Sequence, residues 1–314
     1  MATSSATGVS DMARAKETIG VGDVSIELSS QDKLMFPDDE ITKGDLVTYY
    51  LEVASTMLPY LEGRPMTVQR FTSGIGRPGF VQKEAGEHYP EWIPRVSVPK
   101  SDGGATTYPL VEDAAALIYL VNQNCIVFHP PQVRREHLAH PDFFIMDLDP
   151  SDDDFNKVRR GAVMLREMFT DIGLTPFVKT TGSRGLHVVA PIVPEEDSDA
   201  VVAFARTLAE RLCQRAPDVF TIEISKKKRG DRVFVDYLRN GYMQTAAAPY
   251  SLRAIAGAPV ATPIAWAELD DSSLHARTYH LRNIGERLRK VGDPWRGMRR
   301  SVSSLIAARD KLTG

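Results

Sequence analysis

Along this chain the apolar positions fall into short alternating runs separated by a few longer stretches of helical period. Thr42-Lys43-Gly44-Asp45 spaces a hydroxyl three residues before an acid, as a helix cap does, ahead of an apolar-periodic run over 46–61. The same period predicts helices over 155–172, with Val158, Ala162, Leu165 and Phe169 on one face and Gly173 as the stop, and over Ser198–Arg215. Between them the pattern predicts strands at 66–71, 125–129, 143–148, 175–180, 186–192, 221–224 and 233–237. Asp102-Gly103-Gly104, between two Val/Thr/Tyr-rich arms, predicts a β-hairpin over 94–110 that projects from the body. The alternation shows no repeat and no linker. It predicts an α/β (α+β) body as a single domain over 21–300, with a tail at 1–20 and a C-terminal helix or tail at 301–314.

The chain has 314 residues, enough for a sizeable core, and 43% are hydrophobic. No apolar run approaches the roughly 20 residues that cross a bilayer, and the Ser/Thr/Ala-rich first residues do not resemble a signal peptide. Two cysteines in apolar surroundings argue against a disulfide framework and suit a reducing cytoplasm. The net charge of −3 excludes a chain that coats nucleic acid all over, but not local basic surfaces. Residues 225–232 carry five cations against one acid and lead into an apolar strand ending in a carboxylate. A second basic stretch, 281–300, also fits a solvated helix face.

The candidate chemistry starts with carboxylates. In Phe143-Phe144-Ile145-Met146-Asp147-Leu148-Asp149-Pro150 a strand delivers two acids two positions apart, hence on one face. Alone, D-x-D also fits a strand running into the acidic loop Asp152-Asp153-Asp154. Val233-Phe234-Val235-Asp236 delivers a third acid in the same way, and three such acids are what a two-metal phosphoryl-transfer site requires.

Thr180-Thr181-Gly182-Ser183-Arg184-Gly185-Leu186-His187 sets two glycines around a hydroxyl and a guanidinium. Backbone amides, Ser183, Arg184 and His187 can then face one anion, although an ordinary hairpin turn with a surface arginine also fits. Neither a dinucleotide fingerprint nor a P-loop is present. Pro249-Tyr250-Ser251-Leu252-Arg253 puts a rigid turn before a second phosphate-fitting arginine, while His129 at a strand end also fits a structural histidine.

A D-x-D strand, a G-S-R-G-L-H turn, a V-F-V-D strand and a P-Y-S-x-R turn, in this order, resemble the archaeo-eukaryotic primase superfamily, most closely the polymerase domain of bacterial ligase D and its stand-alone relatives. The likeness runs from about 25 to 300. It implies two packed mixed β-sheets with flanking helices and the active site in the cleft between them. It further implies addition of nucleotides, ribonucleotides preferred, at short DNA gaps and broken ends. On that resemblance Asp147, Asp149 and Asp236 are the catalytic acids and ligands of two Mn²⁺ or Mg²⁺ ions. Ser183, Arg184, His187, Arg253 and His129 hold the nucleoside triphosphate. Lys33 and Lys43 bind the 5′-phosphate of the downstream strand, Phe80 and Lys83 contact the template, and Arg229 lies on a loop that touches template or nucleotide.

The chain departs from the family in places. Phe80-Val81 stands where two aromatics are usual, Ser30 where an asparagine often supports the phosphate pocket, and Arg184 where lysine is common. No tryptophan follows His129-Pro130 at the usual spacing. By the same resemblance the partners are gapped or broken duplex DNA, a separate ATP-dependent ligase and Ku, on the prokaryotic nucleoid with no membrane involved. A primer-synthesising primase, a metal-dependent nuclease and a non-catalytic DNA-end adaptor are the rival functions.

Overall fold

Strands and helices follow one another in two runs that build the two walls of a cleft. The computed structural model describes residues 17–100 and 102–313; the sequence expectation of a tail over 1–16 lies outside them. The first run contains β1 (Thr18–Val21), β2 (Val24–Glu27), β3 (Leu34–Phe36), β4 (Ile41–Thr42), α1 (Lys43–Met57), β5 (Thr67–Arg70), β6 (Phe80–Gln82), β7 (Arg95–Pro99), β8 (Ala105–Pro109), α2 (Ala114–Asn122) and β9 (Cys125–His129). The second contains β10 (Phe143–Asp149), α3 (Phe155–Asp171), β11 (Phe177–Thr180), β12 (Leu186–Pro191), α4 (Ser198–Arg215), β13 (Phe220–Thr221), one-turn α5 (Lys226–Arg229), β14 (Val233–Asp236), β15 (Pro263–Ile264), α6 (Ile284–Val291) and α7 (Leu305–Thr313).

The second run forms a six-stranded sheet in the order β13-β14-β10-β12-β11-β15, and the first a three-stranded sheet, β6-β5-β9. The larger sheet is mixed, since β13 and β14 run parallel and its other neighbours antiparallel. The smaller one is wholly antiparallel, so only one of the two expected mixed sheets is mixed. The expected hairpin is β7–β8, paired from Arg95 with Pro109 to Pro99 with Ala105.

β10 is central and nearly all apolar because both of its faces are covered. Phe144, Met146 and Leu148 enter a core with Val158, Leu165 and Phe169 of α3 and Phe204 and Leu208 of α4. Ile145, Asp147 and Asp149 take the opposite face, toward the first run, by alternation along the strand. α1 starts with the expected capping box: Thr42 Oγ1 accepts from Asp45 N, and the Asp45 carboxylate accepts from Thr42 N.

Several elements differ from the sequence expectation. α2 is apolar all round and therefore carries no periodic signal; it is buried against α1 and β9 and capped by Asp113, which accepts from Ala116 N. The strand expected at 221–224 stops at Thr221. Beyond it the Glu223 and Ile224 carbonyls accept from the Arg229 guanidinium instead of extending a ladder. Residues 18–20 of the expected tail over 1–20 pair with β2 as part of β1, and the expected C-terminal helix, α7, packs Leu305, Ala308 and Leu312 into the second core. Cys125 and Cys213 are free thiols, and among the described residues no helix is long and apolar enough to cross a membrane.

Candidate active site

Asp147 on β10 lies directly across from Asp236 on β14, and the next register pairs are Leu148 with Val235 and Asp149 with Phe234. Directly opposed residues share a face, so the register sets Asp236 beside Asp147, with Asp149 two positions on along the same face of β10. One nitrogen links two of them: Arg239 Nε lies 3.3 Å from Asp147 Oδ2 and 3.2 Å from Asp236 Oδ2. Asp149 faces Arg184 Nη2 at 3.2 Å and Arg229 Nη1 at 3.8 Å. Among the described residues no three His, Cys, Asp or Glu side chains stand in the arrangement of a metal centre. The donor set nevertheless fits a hard divalent ion, because carboxylate oxygens of neighbouring strands already close on a single cationic atom.

The electrostatics separate these acids. Burial opposes ionisation of Asp147, but His187, Arg239 and Lys179 outweigh it and hold the carboxyl down to about 2. Asp236 is pushed upward, first by burial and then by the charge of Asp147. His187 pairs in register with both Asp147 and Lys179, and its Nε2 lies 3.5 Å from Asp147 Oδ1. Burial and then Lys179 lower it to about 4, so at neutral pH the pair is an ionised carboxylate beside a neutral imidazole. His129, at the end of β9, is lowered to about 3 by burial and by Arg253, and its Nε2 has no hydrogen-bond partner.

Asp147, Asp149, Arg239, His187 and His129 line a cleft cavity of about 150 Å³ between the two sheets, together with Thr181, Ser183, Arg184 and Arg253, while Asp236 touches it only through its pairing with Asp147 and Arg239. The glycines of the turn have distinct tasks. A Cβ on Gly185 would stand 1.9 Å from the Leu148 carbonyl oxygen, so only glycine lets the turn cross the end of β10. Gly182 has φ +64° and its Cβ would meet Arg253 Cγ at 2.8 Å.

One expectation for this turn fails. The amides of Ser183 and Gly185 donate to Thr181 Oγ1, at 3.2 and 3.1 Å, so they close the turn on itself rather than facing an anion. Two of the turn's amides are thus spent within it, and the Ser183 and Arg184 side chains remain to meet an anion. Arg253 Nη1 donates to the Thr181 carbonyl at 2.8 Å, which ties the second arginine turn to the first.

Lys33 and Lys43 are also brought together, since Lys43 N donates to the Lys33 carbonyl at 2.8 Å. Lys43 is buried with Nζ on Ser29 Oγ and Asn122, and burial followed by Lys33 lowers it to about 8. Lys33 Nζ donates to the Thr72 carbonyl. Ser30 beside them adopts φ 49°, a left-handed conformation that asparagine tolerates better than serine. On β6, Phe80 and Val81 are 49% and 57% exposed, with the Arg70 guanidinium 5.5 Å from the Phe80 ring centroid; Lys83 is exposed beyond them.

Arg229 corrects another expectation. Its loop is basic and exposed at Lys226, Lys227 and Lys228, but the Arg229 side chain is buried. It lies over the Phe234 ring at 3.7 Å, donates to the Glu223 and Ile224 carbonyls and faces Asp149, so it braces the acid strand instead of reaching outward.

The sequence pattern did not single out four residues of the site. Arg239 stands three positions after Asp236, a spacing that is visible but mute without the register. Lys179 shares a strand face with the cleft, Thr181 closes the turn, and Arg277 Nε donates to the Ser183 carbonyl at 2.8 Å.

Three acids at neighbouring strand ends beside a cleft lined by arginines and histidines, opposite a smaller sheet with an exposed aromatic, form the kind of arrangement that nucleotidyl transfer calls for. Residues 42–295 match the model of the LigD primase-polymerase domain, and the chain belongs to that family. It is 34% identical over 279 residues to the multifunctional non-homologous end joining DNA repair protein LigD of Mycobacterium tuberculosis (H37Rv), covering 85% of this chain and 36% of that protein. To the bifunctional LigD of Bacillus subtilis it is 29% identical over 272 residues, covering 86% and 43%. The chain thus spans a third to under half of the length of these relatives. Its fold matches the polymerase domain of Mycobacterium tuberculosis ligase D in complex with DNA with a TM-score of 0.83 at 32% identity, covering 88% of this chain and 99% of that one.

Proposed function

We propose that this chain adds nucleotides, ribonucleotides preferred, to a primer 3′-hydroxyl at short gaps or broken ends during DNA end joining. The observation that carries this reading is the in-register opposition of Asp147 and Asp236, with Asp147 and Asp149 lining one small cavity together with Arg184 and Arg253. Neither an end-binding adaptor nor a nuclease accounts for two arginine turns tied to each other opposite three acids.

In this reading Asp147, Asp149 and Asp236 hold Mn²⁺ or Mg²⁺. Bound there, the ions supply activation of the primer hydroxyl and neutralisation of the leaving pyrophosphate. Arg239 yields its place between Asp147 and Asp236, a step its 43% exposure permits. Arg184 exchanges Asp149 for phosphate oxygens, and Arg253, held by Thr181, receives the same triphosphate from the other side. Ser183 and His129 complete that pocket, and His187 orients Asp147. Lys33 and Lys43 take the 5′-phosphate of the downstream strand, Phe80 stacks on the template with Lys83 on its backbone, and the lysines preceding Arg229 track the duplex. A separate ATP-dependent ligase and Ku complete the repair on the bacterial chromosome.

The test is primer extension on a duplex with a short gap, comparing ribo- with deoxyribonucleotides, Mn²⁺ with Mg²⁺, and phosphorylated with unphosphorylated downstream ends. Asp147→Asn is expected to lose on the order of 10³-fold in rate, about 4 kcal/mol of barrier, and Lys33→Glu to lose the preference for a 5′-phosphate. Normal extension by Asp147→Asn would falsify the catalytic assignment.

A further inference from the structure

Behind the cleft, on the same face of the six-stranded sheet, lies a second cavity of about 250 Å³ at the junction of the two runs. Its floor is Ile145 and Val189, which sit two residues from Asp147 on β10 and from His187 on β12 and so share their face. Trp295 closes one side, fixed by its Nε1 donating to the Val178 carbonyl at 2.9 Å, and Pro130, just past β9, and Ala248, between β14 and β15, line the other. The walls are largely apolar, but three polar atoms among them have no hydrogen-bond partner: Lys179 Nζ, Arg64 Nε and Asp142 Oδ1. Lys179 is only 2% exposed.

An unpartnered amine in an apolar chamber is costly whether charged or neutral, burial and Arg253 lowering Lys179 to about 7, and cavities that stay empty are apolar throughout. The charged lining consists of Arg64, Arg134, Lys179 and Arg299 against Asp142, and Asp142 is already engaged by Arg64 and Arg134 at 2.7 Å. The surplus is cationic, and Lys179 is the buried part of it that no carboxylate touches.

We propose that this cavity binds a small apolar molecule carrying one anionic group, an aryl or alkyl carboxylate or sulfonate, with the anion on Lys179 and the body against Ile145, Val189 and Trp295. A triphosphate does not suit it, because its walls offer hydrocarbon where three phosphates need donors. Ala246 and Ala247 line both cavities, so an occupant rests against the segment that leads into the Pro249–Arg253 turn.

The test uses two dyes of the same ring system on the full chain, the anionic 8-anilino-1-naphthalenesulfonate and the uncharged N-phenyl-1-naphthylamine, titrated by fluorescence. The anionic dye is expected to saturate at one per chain. Lys179→Met should weaken it at least about tenfold while moving the neutral dye less than about twofold, the signature of one charge contact. Val302→Trp, at a 46% exposed position on the rim, should weaken both and does not depend on a buried substitution being tolerated. Non-saturable binding, equal anion affinity in folded Lys179→Met, or unchanged affinity of both dyes in Val302→Trp overturns the proposal. A thermal melt establishes that each variant is folded, and if Lys179→Met is not, the Val302→Trp result decides.

Discussion

Two carboxylate–guanidinium clusters flank β10, and they are built to opposite purposes. At the strand's start, Asp142 Oδ2 accepts from Arg64 Nη2 and Arg134 Nε, both at 2.7 Å; Arg64 is 4% exposed and lies over the Phe143 ring at 4.6 Å. At its end, Asp147 and Asp236 share one nitrogen of a 43% exposed arginine at 3.3 and 3.2 Å. Short contacts with several donors around a buried charge lock the backbone, because breaking them strands a charge away from water. Long contacts shared on a half-exposed side chain hold little, and another cation can replace them. One cluster is structure and the other is a seat.

The sharpest way to break this contrast is to neutralise one acid in each. Asp142→Asn leaves Arg64 buried without its charge partner and should cost about 3–5 kcal/mol, lowering the melting temperature by roughly 5–8 °C. Asp147→Asn removes a buried charge that His187, Arg239 and Lys179 favour, but leaves no partner as deeply buried as Arg64, so it should cost less, about 1–2 kcal/mol or roughly 2–3 °C, while primer extension collapses. If Asp147→Asn melts as early as Asp142→Asn, the cleft cluster is structural and the comparison fails.

Next in size is Gly185→Ala. Its Cβ would stand 1.9 Å from the Leu148 carbonyl oxygen and force β12 and the end of β10 apart. A cost of about 3 kcal/mol is expected from such overpacking. Activity should fall further than stability, because the displaced strand end carries Asp147 and Asp149 and leaves Asp142 in place. Equal, proportionate losses in melting temperature and in extension by the folded fraction would argue that the turn only holds the sheet together.

How far the sequence foretold each cluster follows from which forces act locally. Alternation in β10 was enough to put Asp147 and Asp149 on one face, and the Thr42–Asp45 spacing was enough to start α1, because strand period and cap chemistry depend only on near neighbours; that Asp236 joins the two acids depends on the pairing of β14 with β10. Arg239 was not legible: its role requires the register that sets Asp147 against Asp236. Arg229 looked like a surface cation in a basic run, and only the Phe234 ring and Asp149, supplied by the folded sheet, turn it inward. The Ser183 and Gly185 amides were expected to be free, yet the hydroxyl of Thr181, two and four residues back, claims both. Asp142 is the clearest case. It precedes an apolar strand with nothing to distinguish it from a surface acid until Arg64 arrives from the first run and Arg134 folds back from the connection before β10.

Replacing the shared guanidinium measures the seat directly. Arg239→Gln should tighten Mn²⁺ binding to the nucleotide-free protein by about fivefold, roughly 1 kcal/mol, the upper range for a half-exposed ion pair. Isothermal titration with Mn²⁺ reads this without any turnover. Weaker binding in the variant would mean that Arg239 organises the acids rather than standing in for the ion.

The smallest effect, and the one that separates the clusters without mutation, is acid titration. Asp236 is pushed up by burial and by Asp147, whereas Asp147 is held near 2 and Asp142, despite its burial, is lowered by Arg64 and Arg134. As pH falls from neutral, Asp236 therefore takes up a proton first, and Mn²⁺ affinity should begin to drop while the pH is still above the ordinary carboxylate value of about 4. The slope approaches about tenfold per pH unit for one proton. Asp142 behaves in the opposite sense. Its lowered value contributes stability that is fully present above the unfolded-chain pKa of about 3.9 and disappears only as pH falls through its folded value. Acid should thus empty the seat before it loosens the lock: Mn²⁺ affinity declines over a range in which the near-ultraviolet circular dichroism is unchanged. Coincident loss of the two signals would place the first protonation in the structural cluster and reverse the assignment.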